Sequence, residues 1–240
     1  MKVPTVVVSG SFDDLRSNHV RFLQEASRLG ELHVLLWPDE AVAALEGKAP
    51  KFPQEERLYL LQAIRYVSRV WLARGVPERD ALALPPDLQA DFWVVTETED
   101  NLQKRKHSQA RGIGYHILKA DDLSGFPMND PTFQTKDPNR NRVVVTGCYD
   151  WFHSGHVRFF EEVSALGDLY VVVGHDANVR LLKGAGHPLF PQEERRYMVQ
   201  AVRFVKEALV SSGQGWMDAE PEIEKIRPHI YAVNEDGDVQ

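Results

Sequence analysis

Val143-Val144-Val145-Thr146-Gly147-Cys148-Tyr149-Asp150-Trp151-Phe152-His153-Ser154-Gly155-His156 is the stretch on which the fold turns. An unbroken valine run reads as a strand buried on both faces of a parallel sheet, because such a strand loses the alternation of a half-exposed one. Gly147 lets a ligand approach the backbone closely, and two histidines flank a small Ser-Gly pair where a helix should begin. Val157, Phe160, Glu161 and Ser164 then fall at helical spacing ahead of Leu166-Gly167, where Gly167 suits a helix C-cap. Leu169 to Val173 reads as the next strand. Glu193 to Val205 carries Tyr197, Met198, Ala201, Val202 and Val205 on one face, the pattern of an amphipathic helix. Strands alternating with helices predict an α/β fold with a doubly wound, Rossmann-like parallel sheet and ligands at the carboxyl ends of the strands.

The same text occurs earlier in the chain. Val6–Leu36 overlies Val143–Val173 with 16 identities in 31 positions. After a one-residue insertion, Pro53-Gln54-Glu55-Glu56-Arg57 overlies Pro191-Gln192-Glu193-Glu194-Arg195, and Trp93-Val94-Val95 overlies Tyr231-Ala232-Val233. A period this long suits two whole domains better than a solenoid. We expect a first domain over residues 1–120, a linker over 121–142 containing Pro127, Pro131 and Pro138, and a second domain over 143–240. The first copy continues past Glu97-Thr98-Glu99-Asp100 to a strand-like Tyr115-His116-Ile117-Leu118. The second stops at Gln240 and is expected to be truncated, or completed by the first copy.

Composition narrows the function. The 240 residues carry a formal charge of −7, 43% hydrophobic and 26% charged residues. A net negative chain argues against a general nucleic-acid binder. No apolar run approaches the ~20 residues that span a bilayer. One cysteine, Cys148, allows no internal disulfide, and no signal peptide is evident at Met1-Lys2-Val3-Pro4, so a cytoplasmic protein is expected. A zinc site is not expected either, since no cysteine pair or third nearby histidine completes a ligand set.

At the turn after 143–146, free N–H groups of a helix start would attract an anion, and two imidazoles there suit a phosphoryl group. Gly147-x-Tyr149-Asp150-x-x-His153-x-Gly155-His156 resembles the HxGH signature of the cytidylyltransferase-like nucleotidyltransferases, through the second copy and more weakly through the first. The resemblance implies two tandem nucleotidyltransferase domains. It also implies transfer of a nucleoside monophosphate from CTP or ATP to a small phosphorylated alcohol or sugar, releasing pyrophosphate with Mg²⁺ as cofactor. By that resemblance His153, His156, Lys183 and Arg195 are expected to be catalytic. Gly147, Cys148, Tyr149, Asp150, Gly155, Arg203 and Asp236 are expected at the nucleotide, and Trp216 and Trp151 on the acceptor side. Cys148 would contribute backbone contacts and no nucleophile, and Arg195 and Arg203, which recur as Arg57 and Arg65, suit a structural role as well as a catalytic one. Gly213 and Gly215 would give a flexible acceptor-side loop, and His175 reads as an ordinary loop histidine.

Asp176-Ala177-Asn178-Val179-Arg180-Leu181-Leu182-Lys183-Gly184 resembles the heptose-phosphate adenylyltransferases, whereas Trp216 resembles the tryptophan of glycerol-phosphate and choline-phosphate cytidylyltransferases. The tandem layout resembles the ethanolamine-phosphate cytidylyltransferases, and the reading leans to CTP, with ATP or a non-catalytic nucleotide-binding scaffold as alternatives. The first copy keeps Gly10, Phe12, Asp13 and His19 but has Arg16, Asn18 and Glu46 where the second has His153, Gly155 and Lys183, so it is expected to be a pseudo-domain. Neither nucleic acid nor membrane is expected as a partner. The two copies are expected to pack as an intrachain pseudo-dimer, with a homodimer as a further possibility.

Overall fold

The computed structural model describes residues 2–127 and 139–234. The chain forms two compact units, Met1–Gly125 and Phe126–Gln240. The first unit runs β1 (Thr5–Gly10), α1 (Ser17–Ser27), β2 (Glu31–Leu36), α2 (Asp39–Glu46), α3 (Gln54–Ala63), β3 (Arg69–Leu72), β4 (Phe92–Thr96), α4 (Leu102–Ala110) and β5 (Gly114–Leu118). The second runs β6 (Arg142–Gly147), α5 (Ser154–Ser164), β7 (Asp168–Val173), α6 (Asp176–Lys183), α7 (Gln192–Gln200), β8 (Val205–Val210), α8 (Glu220–Ile226) and β9 (Ile230–Tyr231).

Both sheets are parallel, in the orders β3-β2-β1-β4-β5 and β8-β7-β6-β9. In each, the chain winds outward from the central strand in one direction and then crosses to its other side, so the strand order reverses at β1/β4 and at β6/β9. A crevice opens at such a reversal, because the connections leave in opposite directions above and below the sheet. This is the α/β architecture that the alternating pattern predicts. Val143, Val144 and Val145 are 0% exposed, as are Val6, Val7 and Val8. Covering both faces of a strand is what makes these unbroken apolar runs favourable, at about 1.5–3 kcal/mol for each side chain taken fully out of water.

Two sequence expectations are corrected here. The amphipathic helix stops at Gln200, and Val205 opens β8 instead of closing the helix. The Gln200 carboxamide turns the chain: its Oε1 accepts from Ala208 N at 2.7 Å, tying the helix end to the following strand. Gly167 does not cap α5, whose C-cap is Ala165. It is small because a Cβ there would lie 2.2 Å from the Asn141 carbonyl oxygen.

Candidate functional site

Strand β6 ends at Gly147, and two clefts flank that end. One, of about 420 Å³, lies at the β6/β9 reversal and is lined by His156, Phe159, Tyr231 and Asn234 among others. The other, of about 430 Å³, lies toward β7 and is lined by Gly174, Asn178, Leu182, Lys183, Trp216 and Asp218. Thr146, Gly147 and Cys148 line both, so the clefts meet at the strand end.

The turn that leads into α5 is held in a costly backbone conformation. Tyr149 has φ +50°, the left-handed region, and its ring is 6% exposed, edge-on to His156 and Phe160. A Cβ on Gly147 would lie 2.9 Å from that ring, so glycine is required for the tyrosine to pack. Burial pushes the Tyr149 hydroxyl well above its ordinary pKa. Tyr149 lines the β6/β9 cleft, and packing accounts for its burial.

His153 is the N-cap of α5, and its Nδ1 accepts from Gly155 N at 3.1 Å. A Cβ on Gly155 would meet that imidazole at 2.8 Å, which explains the glycine between the two histidines. The Nδ1 of His156 in turn accepts from His153 N at 3.4 Å, and the two rings stand 4.0 Å apart between centroids. With both Nδ1 atoms accepting from backbone, each neutral ring carries its proton on Nε2, which makes the pair two fixed donors. Burial, then the neighbouring His153, then Lys183, push His156 down to about 4. Lys183 ends α6, and its charge is felt at His156.

The structure gives other expected site residues different surroundings. Arg195 is 2% exposed, and its donors are directed at the chain itself: Nε to Phe190 O (2.9 Å), Nη1 to Cys148 O (2.5 Å), and Nη2 to Gly174 O (2.7 Å) and Asp176 Oδ1 (2.8 Å). Those bonds fasten the ends of β6 and β7 and the loop before α7, a positioning role. Asp150 is 5% exposed and accepts from Leu189 N (2.6 Å) and Phe190 N (3.2 Å) and bonds His187 Nδ1 (2.7 Å). Burial works to raise its pKa, but these hydrogen bonds outweigh it and hold the carboxyl below its usual value. Arg203 precedes β8, and Leu169↔Val205 pairing puts it at the amino ends of the strands, away from both clefts. Trp151 is exposed and lines neither cleft. Asp236 lies outside the described residues.

A latch on the β7 side was not foreseen. Asn178, 3% exposed, donates from Nδ2 to Gly215 O (3.0 Å) and accepts at Oδ1 from Gly215 N (2.8 Å). His175 caps α6, accepts from Asn178 N, and bonds Gly213 O through Nε2 at 2.8 Å. Its own N–H donates to Ser211 Oγ (3.0 Å), whose hydroxyl donates to Asp218 Oδ2 at 2.6 Å. The Gly213–Gly215 loop is therefore tied down where a flexible lid was expected, and it carries Trp216, 83% exposed, to the rim of the cleft. A signal existed in the sequence: the first copy has Pro38, Ala41 and Ala73 at the positions of His175, Asn178 and Ser211.

A glycine-bearing strand end, two imidazoles with fixed Nε2–H donors and a lysine at the end of α6 thus stand beside a reversal of strand order. The chain belongs to the cytidylyltransferase-like family, whose model matches residues 144–236. It is 35% identical to the FAD synthase of Thermococcus onnurineus over 104 residues, 43% of this chain and 67% of that protein. It is 42% identical to the FAD synthase of Ferroglobus placidus over 96 residues, 40% of this chain and 59% of that protein. It is 43% identical to the bifunctional protein HldE of Methylococcus capsulatus over 97 residues, 40% of this chain but 20% of that protein. These matches support a nucleotidyltransferase, a transferase by class. They give no support to the lean toward CTP. Among the described residues no helix is long and apolar enough to cross a membrane.

Proposed function

We propose that the second unit transfers an adenylyl group from ATP to the phosphate of a small acceptor and releases pyrophosphate. The observation that carries this reading is the His153–His156 pair, two Nε2–H donors fixed by backbone bonds: His156 lines the β6/β9 crevice, His153 stands 4.0 Å from it between ring centroids, and the charge of Lys183 is felt at His156. ATP is assigned because FAD, the product in the relatives' name, is an adenylate joined to a flavin phosphate, so its synthesis is adenylyl transfer to a phosphate. Trp216, which with the tandem layout grounds the cytidine reading, lines the β7-side cleft and not the one that holds His156.

In this reading the nucleotide occupies the β9-side cleft and the acceptor the β7-side cleft. An acceptor phosphate oxygen attacks the α-phosphorus, the bond from that phosphorus to the bridging oxygen breaks, and pyrophosphate leaves with the electron pair. The attacking oxygen is already anionic, so no base is needed. His153 and His156 donate to the α-phosphoryl oxygens as charge shifts in the transition state, and Lys183 neutralises phosphate charge near the strand end. Among the described residues no group of three or more His, Cys, Asp or Glu side chains could hold a metal ion. A magnesium ion would therefore be held chiefly by the phosphates of the nucleotide, where it supplies charge neutralisation. Gly147 and Gly155 keep the turn compact, and Arg195 and Asp150 hold its loops in place. The first unit we read as a degenerate copy without turnover.

The test is pyrophosphate release by the purified chain with ATP or CTP and a panel of acceptors that includes flavin mononucleotide and sugar phosphates. Release with ATP that His153→Ala abolishes supports the reading. Release with CTP alone overturns the nucleotide assignment, and no release with any pair overturns the enzyme reading.

A further inference from the structure

The first unit has lost phosphate-binding groups but has kept a crevice. At the β1/β4 reversal a cavity of about 300 Å³ remains, within the range of small-molecule sites. Its lining includes Phe12, Phe22, Leu118 and Leu123 as apolar wall, with His19, Glu97 and Glu99 as the ionisable groups. No lysine or arginine lines it. Arg16, in the sequence position of His153, pairs with Asp14 at 2.7 Å, and Lys51 pairs with the other oxygen of the same carboxylate at 2.7 Å. Glu46 replaces Lys183. A triphosphate entering this crevice would meet two carboxylates and no lining cation, a repulsion that no lining group compensates.

The remaining groups describe a different ligand. The Nδ1 of His19 accepts from Arg16 N at 3.1 Å, and burial lowers the ring's proton affinity, so the ring is neutral at pH 7 and carries its proton on Nε2. It asks for a ligand acceptor. Glu99 accepts from the Thr96 hydroxyl at 3.0 Å, and Glu97 is exposed at the mouth; carboxylates so placed ask for hydroxyl or amino donors. The phenyl rings ask for an apolar face. A simple amine would answer the carboxylates but leave the imidazole N–H and the apolar wall unmatched. A ring nitrogen, a flat face and vicinal hydroxyls answer all three, and ribose hydroxyls are commonly bound by a carboxylate at this kind of crevice.

We propose that the β1/β4 crevice of the first unit binds an uncharged nucleoside, taken without phosphate. The site is independent of turnover in the second unit.

Equilibrium dialysis of the full chain with labelled adenosine, in saturating ATP to fill any triphosphate site, tests it. One equivalent of adenosine should still bind, and adenosine monophosphate should bind at least tenfold more weakly. Glu97→Gln should weaken adenosine about tenfold, the scale of one charge-assisted hydrogen bond. Glu97→Lys, at an exposed position that folding tolerates, should invert the preference toward the monophosphate. Complete displacement of adenosine by ATP, equal affinity for the monophosphate, or no response to either substitution would overturn the proposal, as would no binding at all.

Discussion

Arg57 and Arg195 sit in matching hydrogen-bond frames in their separate units, whereas Arg16 and His153 share only the backbone bond to the histidine three residues on, and the Arg16 side chain pairs with Asp14 instead. Arg57 donates to Phe52 O, Ser11 O, Trp37 O and Asp39, as Arg195 does to Phe190 O, Cys148 O, Gly174 O and Asp176. Asp13 accepts from Lys51 N and Phe52 N, as Asp150 accepts from Leu189 N and Phe190 N. What differs is the set of groups that could face a phosphate: His153 against Arg16, Gly155 against Asn18, Lys183 against Glu46. The comparison separates two kinds of site residue. Arg57/Arg195 and Asp13/Asp150, shared by both units, hold loops at the strand ends, whereas His153 and Lys183, found only in the second, add groups that can face an anion beside His156, which the first unit keeps as His19.

The largest expected effect attacks the shared frame. Arg195→Ala and Arg57→Ala should each cost about 3 kcal/mol of stability, near the low end for breaking a buried ion pair because Asp176 and Asp39 are partly exposed. Hydrogen exchange read separately on peptides of each unit measures this. A loss below about 1 kcal/mol in either unit would break the equivalence.

The second prediction sharpens the contrast at the histidines. His153→Ala should lower kcat by about 10²–10³-fold, the scale for removing one preorganised donor, while His19→Ala leaves turnover unchanged. A parallel pH effect on stability follows from His156, whose ring is pushed down to about 4 in the folded protein against about 6.5 when unfolded. Between those values the unfolded chain binds the extra proton. Stability is therefore complete above pH 6.5 and falls as pH drops toward 4, and His156→Ala should flatten that slope in urea titrations.

Lys183→Glu gives the second unit the residue of the first. It should reduce kcat/KM by about 10- to 100-fold, the scale of a lost charge-assisted hydrogen bond with added repulsion. Glu46→Lys in the first unit should not create turnover, because Arg16 still stands at the position of His153. Turnover gained there would show that one cation is enough and would collapse the contrast.

How much of this was legible in the sequence depends on the kind of force involved. The Val143–Val145 run declares a doubly covered strand because burial depends on side-chain type, and the parallel α/β fold follows from it. The end of α7 was hidden because Ala201, Val202 and Val205 are apolar at helical spacing and also suit a turn leading into a buried strand. Gly167 looked like a cap because its true constraint, the Asn141 carbonyl, lies across the sheet. Arg195 is expected from the sequence to be catalytic and Asp150 to lie at the nucleotide; their bonds to backbone carbonyls and amides leave no trace in residue patterns. The recurrence of Arg195 as Arg57 already points to a structural role beside the catalytic one, and that of Asp150 as Asp13 carries the same signal.

The smallest effect tests a feature of the second unit that neither binds an anion nor recurs. Asn178 holds Gly215 by a reciprocal pair of hydrogen bonds, and Ala41 stands at its position in the first unit. Asn178→Ala frees backbone groups beside an exposed loop, where water can replace the lost partner, so the stability cost should be only about 1 kcal/mol. Its consequence should be local: faster amide exchange over 213–217, a higher KM for the acceptor because Trp216 is no longer fixed at the cleft rim, and an unchanged KM for the nucleotide. Asn178→Asp keeps the acceptor for Gly215 N but loses the donor to Gly215 O, so it should fall between the two. If acceptor and nucleotide KM rise together, the latch supports the whole strand end, and the division between the two clefts does not run where the geometry draws it.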